Sequence, residues 1–215
     1  MDWDPVTHYK DVAVAERYDR ERFAGLPGRI FNALERRTLR RAFASIDRSL
    51  QVLDLPCGTG RLAETLLEDG YRVVGVDISA AMLEVARRKL QRFESRFSTH
   101  VGDVRDLARS EAGKYDVALC ARVLMHFPLE EQIEFLRCVA VLAKGTIVFS
   151  QSLSTPYQRT RRRVKKALGN APPAVYPITE AQLKVLLKGS GLREVRRHRL
   201  CPPISEAILV VAEHL

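Results

Sequence analysis

Short apolar runs alternate with segments of helical periodicity through most of the chain, and this pattern predicts the elements. Strands are predicted over residues 51–55, 72–76, 99–101, 117–120, 146–149, 193–200 and 207–213. Helices are predicted over residues 61–68, 80–92, 129–142 and 179–188, with a weaker helix or loop within 101–115. Short apolar strands separated by helices are typical of a parallel sheet covered on both faces. The pattern therefore predicts a doubly wound α/β fold.

The N-terminal part has a different pattern, helical over residues 7–45 with a break predicted at Leu26-Pro27-Gly28. The second of its helices, residues 29–44, is amphipathic and basic. Such a helix can lie on a membrane, but packing on its own domain with solvated charges is the preferred interpretation. We expect one domain over 1–215, with a helical cap (1–48), a cofactor-binding core (49–151) and a variable insert with closing strands (152–215).

Composition narrows the class of protein. The chain carries a net charge of +9, which favours an anionic partner, although a generic basic surface explains the charge about as well. The acidic start lacks an apolar core, so we expect no secretory signal. The four cysteines form no C-x-x-C pair, and no acid/His cluster indicates a metal site, so we predict none. A cytoplasmic protein with reduced thiols is expected, with peripheral membrane contact through basic segments left open.

Residues 52–61 carry the strongest local signal, a strand, a loop with Gly58 and Gly60, and the start of a helix. Glycines let the backbone approach a ligand, and free N–H groups at the helix start face it. Asp54 ends this first strand, Asp77 ends the second and Asp103 follows the third. All three carboxylates are expected at the carboxyl edge of the sheet, where ligands of open α/β sheets bind.

Residues 52–61, 73–83, 101–107 and 115–128 resemble, in order and spacing, the successive motifs of the class I S-adenosylmethionine-dependent methyltransferases. The resemblance implies a Rossmann-like sheet of seven mostly parallel strands with an antiparallel last strand. It also implies S-adenosylmethionine as cofactor and S-adenosylhomocysteine as product. We therefore expect an enzyme that methylates a small organic or lipid-like acceptor at oxygen or nitrogen, and the basic residues of the chain favour an anionic acceptor.

The resemblance also assigns roles to residues. Asp54 and the loop with Cys57, Gly58 and Gly60 resemble the part that holds the methionine moiety. Asp77 resembles the acid that binds the ribose hydroxyls, and Ile78 the apolar residue beside the adenine. Asp103 resembles the side chain that accepts the adenine amino group, with Val104 offering its backbone N–H. Ala121 and Arg122 resemble positions that line the methyl-transfer pocket.

Pro56 departs from the family, which usually has glycine there. Proline fixes φ near −65° and has no N–H, so cofactor binding requires that this position need neither a positive φ nor a donor, as we expect.

A nicotinamide cofactor is the competing interpretation, because Gly58-x-Gly60-x-x-Ala63 fits the dinucleotide fingerprint. Asp54 would repel a pyrophosphate but attract the sulfonium and ammonium of S-adenosylmethionine. Helix capping is a second alternative for the three acids, and it explains one of them more readily than all three.

His126, after the fourth strand, is the candidate general base, and the alternative is a histidine that caps or packs the loop. Residues 159–166 form a basic insert with six Arg or Lys residues. It suits RNA phosphates, an anionic lipid surface or a solvated helix face, so nucleic acid is possible but not favoured. An RNA methyltransferase and a non-catalytic cofactor-binding protein remain the alternative functions.

Overall fold

The computed structural model describes residues 12–23, 25–154, 160, 175–201 and 205–215, and these contain one seven-stranded sheet. Its strands are β1 Gln51–Asp54, β2 Arg72–Asp77, β3 Phe97–Val101, β4 Val117–Cys120, β5 Ile147–Ser152, β6 Leu192–Arg199 and β7 Ala207–His214. They are ordered β3-β2-β1-β4-β5-β7-β6. The first five pair in parallel, whereas β7 runs antiparallel to both β5 and β6. The predicted Rossmann-like α/β class, with its antiparallel last strand, is confirmed.

Seven α-helices connect or flank the described strands. They are α1 Val12–Phe23, α2 Leu26–Phe43, α3 Arg61–Glu68, α4 Ala80–Leu90, α5 Val104–Ser110, α6 Leu129–Leu142 and α7 Glu180–Gly189. Two 3₁₀ turns, Gln91–Phe93 and Leu124–His126, accompany them. Helices α3 and α6 have the bounds that the sequence predicts.

The chain breaks between α1 and α2 as predicted, but the break lies before Leu26-Pro27-Gly28 and not at these residues. These residues form the first turn of α2, with Gly25 as its extended N-cap. Proline is tolerated there because the first N–H groups of a helix have no intrahelical partner and its fixed φ suits the first turn. Helix α2 packs on its own domain: Leu39 and Phe43 are buried, while Arg36 and Arg40 pair with acids of α3 and its C-cap Asp69. Its basic face is thus partly neutralised by the neighbouring helix.

Two apolar clusters cover the two faces of the sheet. On one face, Leu53 of β1 packs with residues of α6 and α7 such as Leu136 and Leu183. On the other, its neighbour Val52 packs with α2, α3 and α4. Successive residues of a strand point to opposite faces, so a strand buried on both sides must be apolar throughout. Each fully buried Leu or Val side chain contributes about 1.5–3 kcal/mol relative to its exposed state.

The strand register brings the chemistry to one edge. Asp54 lies opposite Gly75 in the β1–β2 pair, and Asp77 lies opposite Val101 in the β2–β3 pair. Because these strands are parallel, their carboxyl ends and the loops that follow line one crevice. Within the described ranges, every helix is too short or too polar to traverse a lipid bilayer.

Candidate functional site

A cavity of about 270 Å³ lies at the carboxyl edge of the sheet. Every sequence-predicted site residue except Gly60 lines it: Asp54, Pro56, Cys57, Gly58, Asp77, Ile78, Asp103, Val104, Ala121, Arg122 and His126. Tyr18 of α1 covers part of this cavity from the N-terminal side. The structure thus brings together residues from the ends of four strands and from a helix that precedes them.

The two glycines of the first loop perform different tasks. Both have left-handed backbone, with φ of 55° at Gly58 and 72° at Gly60. A Cβ at Gly60 would lie 2.7 Å from Leu90 Cδ1 and 3.1 Å from Ala86 Cβ, so this glycine allows α4 to pack closely. A Cβ at Gly58 would meet no atom within 4 Å. Gly58 therefore keeps space open on the cavity side, whereas Gly60 serves the packing behind it.

Asp77 ties the second strand to the glycine loop. Its Oδ2 accepts the Gly58 N–H at 2.8 Å, and its Oδ1 accepts the Ser79 N–H at 2.9 Å. Burial raises the pKa of this carboxyl group, while the backbone N–H donors from Ser79 and Gly58 oppose that rise. Ser79, not Asp77, caps α4, so capping does not account for this acid.

Asp54 is a buried carboxyl group whose hydrogen bonding is incomplete. It is 2% exposed, and its Oδ2 atom has no hydrogen-bond partner. Burial raises its pKa to about 7, and the nearby Asp77 charge adds to the rise, while a hydrogen bond from Cys57 opposes it. A buried carboxylate oxygen without a donor is costly unless a ligand supplies one. The arrangement favours a bound cation or hydrogen-bond donor beside Asp54.

Cys57 and Pro56 line the same wall. The Cys57 N–H donates to Val76 O at 2.8 Å, and burial raises the pKa of its thiol well above the ordinary value. Cys57 is therefore a poor nucleophile and a packing residue. Pro56 follows a cis peptide bond, and among the described residues positive φ occurs only at glycines and Arg122. The left-handed conformations of the loop thus fall on Gly58 and Gly60 and not on Pro56.

Asp103 has a capping role in addition to its place in the cavity. Its Oδ1 accepts the Arg105 N–H at 2.8 Å at the start of α5. The capping alternative thus holds for this one of the three acids. Asp103 and Val104 lie at the same end of the cavity as Ile78, beyond β2 and β3.

The loop after β4 supplies the opposite wall. Ala121 is buried, and Arg122 has a left-handed φ of 63°. The Arg122 N–H donates to Ser150 Oγ at 2.6 Å, and its guanidinium lies 5.3 Å from the Phe31 ring centroid. His126 ends the following 3₁₀ turn and is half-buried beside the cavity. This wall therefore presents one fixed cation and one imidazole.

Sequence reasoning missed the buried ionic contacts that hold the cap. Arg61 Nη2 donates to Glu35 Oε2 at 2.5 Å, and Arg61 Nη1 donates to Asn32 Oδ1 at 2.7 Å. Thr59 of the glycine loop donates to Asp19 of α1 at 2.8 Å. One signal was available: Glu35 is the single acid of α2, and it shares a helix face with Phe31 and Leu39 at four-residue spacing.

A buried amide network, also missed, fixes the aromatic wall. Gln151 Nε2 donates to Gln132 Oε1 at 2.6 Å, and Gln132 Nε2 donates to Phe127 O at 2.7 Å. The Phe127 ring stacks on Phe135 with centroids 5.8 Å apart. This network holds Phe127, and with it the loop after His126, against the cavity.

Two further predictions concern features away from this cavity. No group of three or more His, Cys, Asp or Glu side chains capable of holding a metal occurs in the described part of the chain. The basic insert at 159–166 lies outside the described residues, apart from Thr160.

Comparisons with known proteins agree with this geometry. A family model described as "Methyltransferase domain" matches residues 52–145. The ubiquinone biosynthesis O-methyltransferase of Vibrio parahaemolyticus is 34% identical over 105 residues, which cover 48% of this chain and 44% of that protein. The magnesium-protoporphyrin O-methyltransferase of Synechocystis is 31% identical over 153 residues, covering 68% of this chain and 64% of that protein. The matched regions therefore cover less than two thirds of the length of each of these relatives.

Solved structures extend the likeness over the whole chain. The crystal structure of magnesium protoporphyrin IX methyltransferase from Synechocystis PCC 6803 with bound SAH has a TM-score of 0.76 and 22% identity, and covers 97% of each chain. The 1,6-didemethyltoxoflavin-N1-methyltransferase of Burkholderia thailandensis, with 1,6-didemethyltoxoflavin and S-adenosylhomocysteine bound, has a TM-score of 0.68 and 20% identity, covering 100% of this chain and 92% of that chain. At these identities the likeness concerns the fold.

Proposed function

We propose that the chain is a class I S-adenosylmethionine-dependent methyltransferase, which transfers the methyl group of S-adenosylmethionine to a small organic or lipid-like acceptor, at oxygen or nitrogen. S-adenosylhomocysteine is then the product. The observation that carries the proposal is the buried Asp54 carboxyl group, which lines the cavity together with Gly58 and whose Oδ2 has no hydrogen-bond partner.

The residues of the cavity suit this cofactor in charge. The methionine end carries a positive sulfonium and an ammonium, and Asp54 offers a carboxylate that lacks such a partner. A pyrophosphate, as in a nicotinamide cofactor, would place negative charge against the same carboxylate. The charge of Asp54 therefore favours the sulfonium cofactor over the dinucleotide.

The nucleoside end would occupy the crevice beyond β2 and β3. Asp77 retains acceptor capacity for ribose hydroxyls, because each carboxylate oxygen has more than one lone pair and accepts one backbone N–H. Ile78 would contact the adenine, and Asp103 with the Val104 backbone would bind its polar edge. In this proposal Ala121 and Arg122 border the methyl-transfer position.

S-adenosylmethionine supplies a methyl group activated by a positively charged sulfur. The chain's own contribution is to position the acceptor and exclude water. Tyr18 of α1 lines the cavity, and Glu35 of α2 holds Arg61, which also lines it. His126 is the residue placed to accept a proton from a hydroxyl or amine acceptor. In this scheme residues 1–48 act as the cap, 49–151 bind the cofactor and 152–215 adapt the site to the acceptor.

The named relatives support a small-molecule acceptor. They are described as O-methyltransferases of ubiquinone biosynthesis and of magnesium-protoporphyrin, and one structural neighbour holds 1,6-didemethyltoxoflavin. A lipid-like acceptor would bring the chain to a membrane surface, and its basic segments suit such peripheral contact. RNA is the second candidate acceptor, because the net charge of +9 suits its phosphates.

The deciding experiment incubates the purified chain with methyl-labelled S-adenosylmethionine and a cell extract, which is then separated into lipid, RNA and small-molecule fractions. We expect label in the lipid or small-molecule fraction. The Asp77→Ala variant should lose most of this label, whereas Asp106→Ala, a change on the exposed face of α5, should keep it. Label in RNA would replace the proposed acceptor class. Binding of S-adenosylhomocysteine without any labelled product would indicate the non-catalytic alternative.

A further inference from the structure

Two arginines share one buried glutamate where the cap meets the loop after β4. Glu35 is 4% exposed, and its Oε2 accepts the short hydrogen bond from Arg61. Its Oε1 lies 3.4 Å from Arg122 Nη1, which is a longer and weaker contact. Two guanidinium groups against one carboxylate leave this cluster with a net charge of +1. Because Arg61 takes the tighter bond, the excess positive charge lies mainly on Arg122.

Arg122 presents this charge to the cavity. The Arg122 side chain lines the cavity and is 19% exposed. The side chain of Arg61, the other arginine of the cluster, is 9% exposed. The left-handed φ of 63° at Arg122 is unfavourable for a residue with a side chain and persists because Ser150 Oγ holds its N–H. Strained backbone of this kind concentrates where a side chain must be aimed at a ligand.

The acids concentrate on one side of the cavity, where the lining residues Arg61 and Arg105 are paired with Glu35 and Glu134. Asp54, Asp77 and Asp103 line the part beyond β1, β2 and β3. Arg122 follows β4, on the same connection that carries the Phe127 ring stacked on Phe135. An acceptor that enters beside this connection meets an apolar aromatic wall and one under-compensated cation. A molecule with an apolar body and an acidic group complements both features.

We infer that Arg122 binds an acidic group of the acceptor, a carboxylate or a phosphate, and so selects anionic acceptors. This inference rests on the proposed methyltransferase function and names its substrate class. Guanidinium groups suit both anions because they offer two parallel N–H donors. Arg122 holds the acceptor and takes no part in bond changes. The acceptor oxygen or nitrogen forms the bond to the methyl carbon, the C–S electron pair stays with sulfur, and the acceptor proton passes to His126.

The test separates a small-molecule extract by anion exchange at pH 8 and assays each fraction as acceptor with labelled S-adenosylmethionine. The methyl-accepting activity should be in the retained fractions. Loss of acceptance after phosphatase treatment indicates a phosphate, whereas loss after a carbodiimide and methylamine but not after phosphatase indicates a carboxylate. Acceptance confined to the unretained fraction would overturn the inference without any variant.

Variants then test the residue itself. Arg122→Gln should raise KM for the retained acceptor about tenfold or more, with kcat and S-adenosylhomocysteine affinity changed by less than about threefold. Arg122→Lys should restore part of the loss because it keeps the charge. Arg109→Gln, an exposed arginine on α5, is the matched control and should match the parent chain.

The outcomes are separable. An unchanged KM in a folded Arg122→Gln variant would overturn the role of Arg122. A parent chain that binds no S-adenosylhomocysteine and labels no fraction would overturn the proposed function instead. If Arg122→Gln does not fold, the ion-exchange result and the Arg122→Lys variant, whose KM should rise less than tenfold, decide the question.

Discussion

Asp77 at the end of β2 accepts a hydrogen bond from the backbone N–H of Gly58 at 2.8 Å. One carboxylate thereby connects the second strand to the glycine loop that follows the first. The residue proposed to bind the ribose is the same residue that fixes the loop proposed to hold the methionine moiety. Changes at either residue are therefore expected to affect ligand binding more than folding.

The Gly58→Ala variant distinguishes the effect of filling the proposed ligand space from the effect of backbone strain. Gly58 and Gly191 both have left-handed φ, 55° and 71°, and a Cβ at either would meet no atom within 4 Å. Urea unfolding should show a similar destabilisation of about 1 kcal/mol for Gly58→Ala and for the control Gly191→Ala. Only Gly58→Ala should weaken S-adenosylhomocysteine binding, because its methyl group enters the space proposed for the ligand. Equal affinities in the two variants would show that this space is not used.

Gly60→Ala should act on the fold. Its new Cβ would have to displace Leu90 and Ala86 of α4 in addition to adopting a left-handed φ. We expect a loss of about 2–4 kcal/mol in the free energy of unfolding, from overpacking plus backbone strain. Gly191→Ala again isolates the backbone part. A Gly60 variant no less stable than the Gly191 variant would contradict the close packing of α4.

The order of strands and helices follows from the sequence because apolar periodicity reports burial directly. Strands β1, β2 and β4 are apolar enough to be buried on both faces, and the acids that end β1 and β2 fall at one edge by topology alone. Residues as distant in sequence as Asp54 and Asp103 can therefore be assigned to one crevice from the strand pattern. The part of the site proposed for the cofactor can thus be predicted from local motifs.

Long-range polar pairs are not readable in this way. Strand β5 extends past its predicted end at residue 149 to Ser152, because its polar residues pair with β7 and Gln151 bonds Gln132 of α6. The Glu35–Arg61 pair joins residues 26 positions apart. The hydrophobic periodicity around Glu35 gives no information about Arg61 as its partner, and the periodicity around Arg61 gives none about Glu35. The part of the site proposed for the acceptor depends on such pairs, so its details cannot be predicted from the sequence.

The affinity for S-adenosylhomocysteine should rise with pH. The pKa of Asp54 is raised to about 7 in the folded protein, so most of this carboxyl group is protonated at pH 5.5 and ionised at pH 7.5. If only the carboxylate form binds the ligand ammonium, calorimetry should show an increase of roughly 20-fold over that interval. Asp54→Asn should bind weakly with little pH dependence. A parent chain with equal affinity at both pH values would contradict the role of Asp54.

The same shift has a consequence for stability without ligand. A carboxyl group whose folded pKa lies above its unfolded value holds its proton more tightly in the folded state. Its contribution to stability is therefore present at low pH and decreases as the pH rises toward about 7. Relative to the parent chain, Asp54→Asn should become progressively more stable across this interval. Parallel urea titrations of both chains between pH 4.5 and 7.5 measure the difference.

Glu35→Gln should destabilise the cap. It leaves the buried Arg61 guanidinium without its carboxylate, and both side chains are below 10% exposure. We expect a loss of about 3 kcal/mol in the free energy of unfolding. Glu134→Gln, which removes an exposed partner of Arg105, should cost below about 1 kcal/mol. Equal effects of the two substitutions would mean that the buried pair does not anchor α2.

Calorimetric titration of S-adenosylhomocysteine into the parent chain, Asp77→Ala and the exposed control Asp106→Ala tests the central claim most directly. Asp77 is buried at the cavity and holds Gly58, whereas Asp106 lies on the outer face of α5. The parent and the control should show one saturable site of equal affinity, and Asp77→Ala should bind about 10- to 100-fold more weakly. Absence of binding to the parent chain, or an Asp77→Ala variant with unchanged affinity, would contradict the assignment of this crevice as the cofactor site.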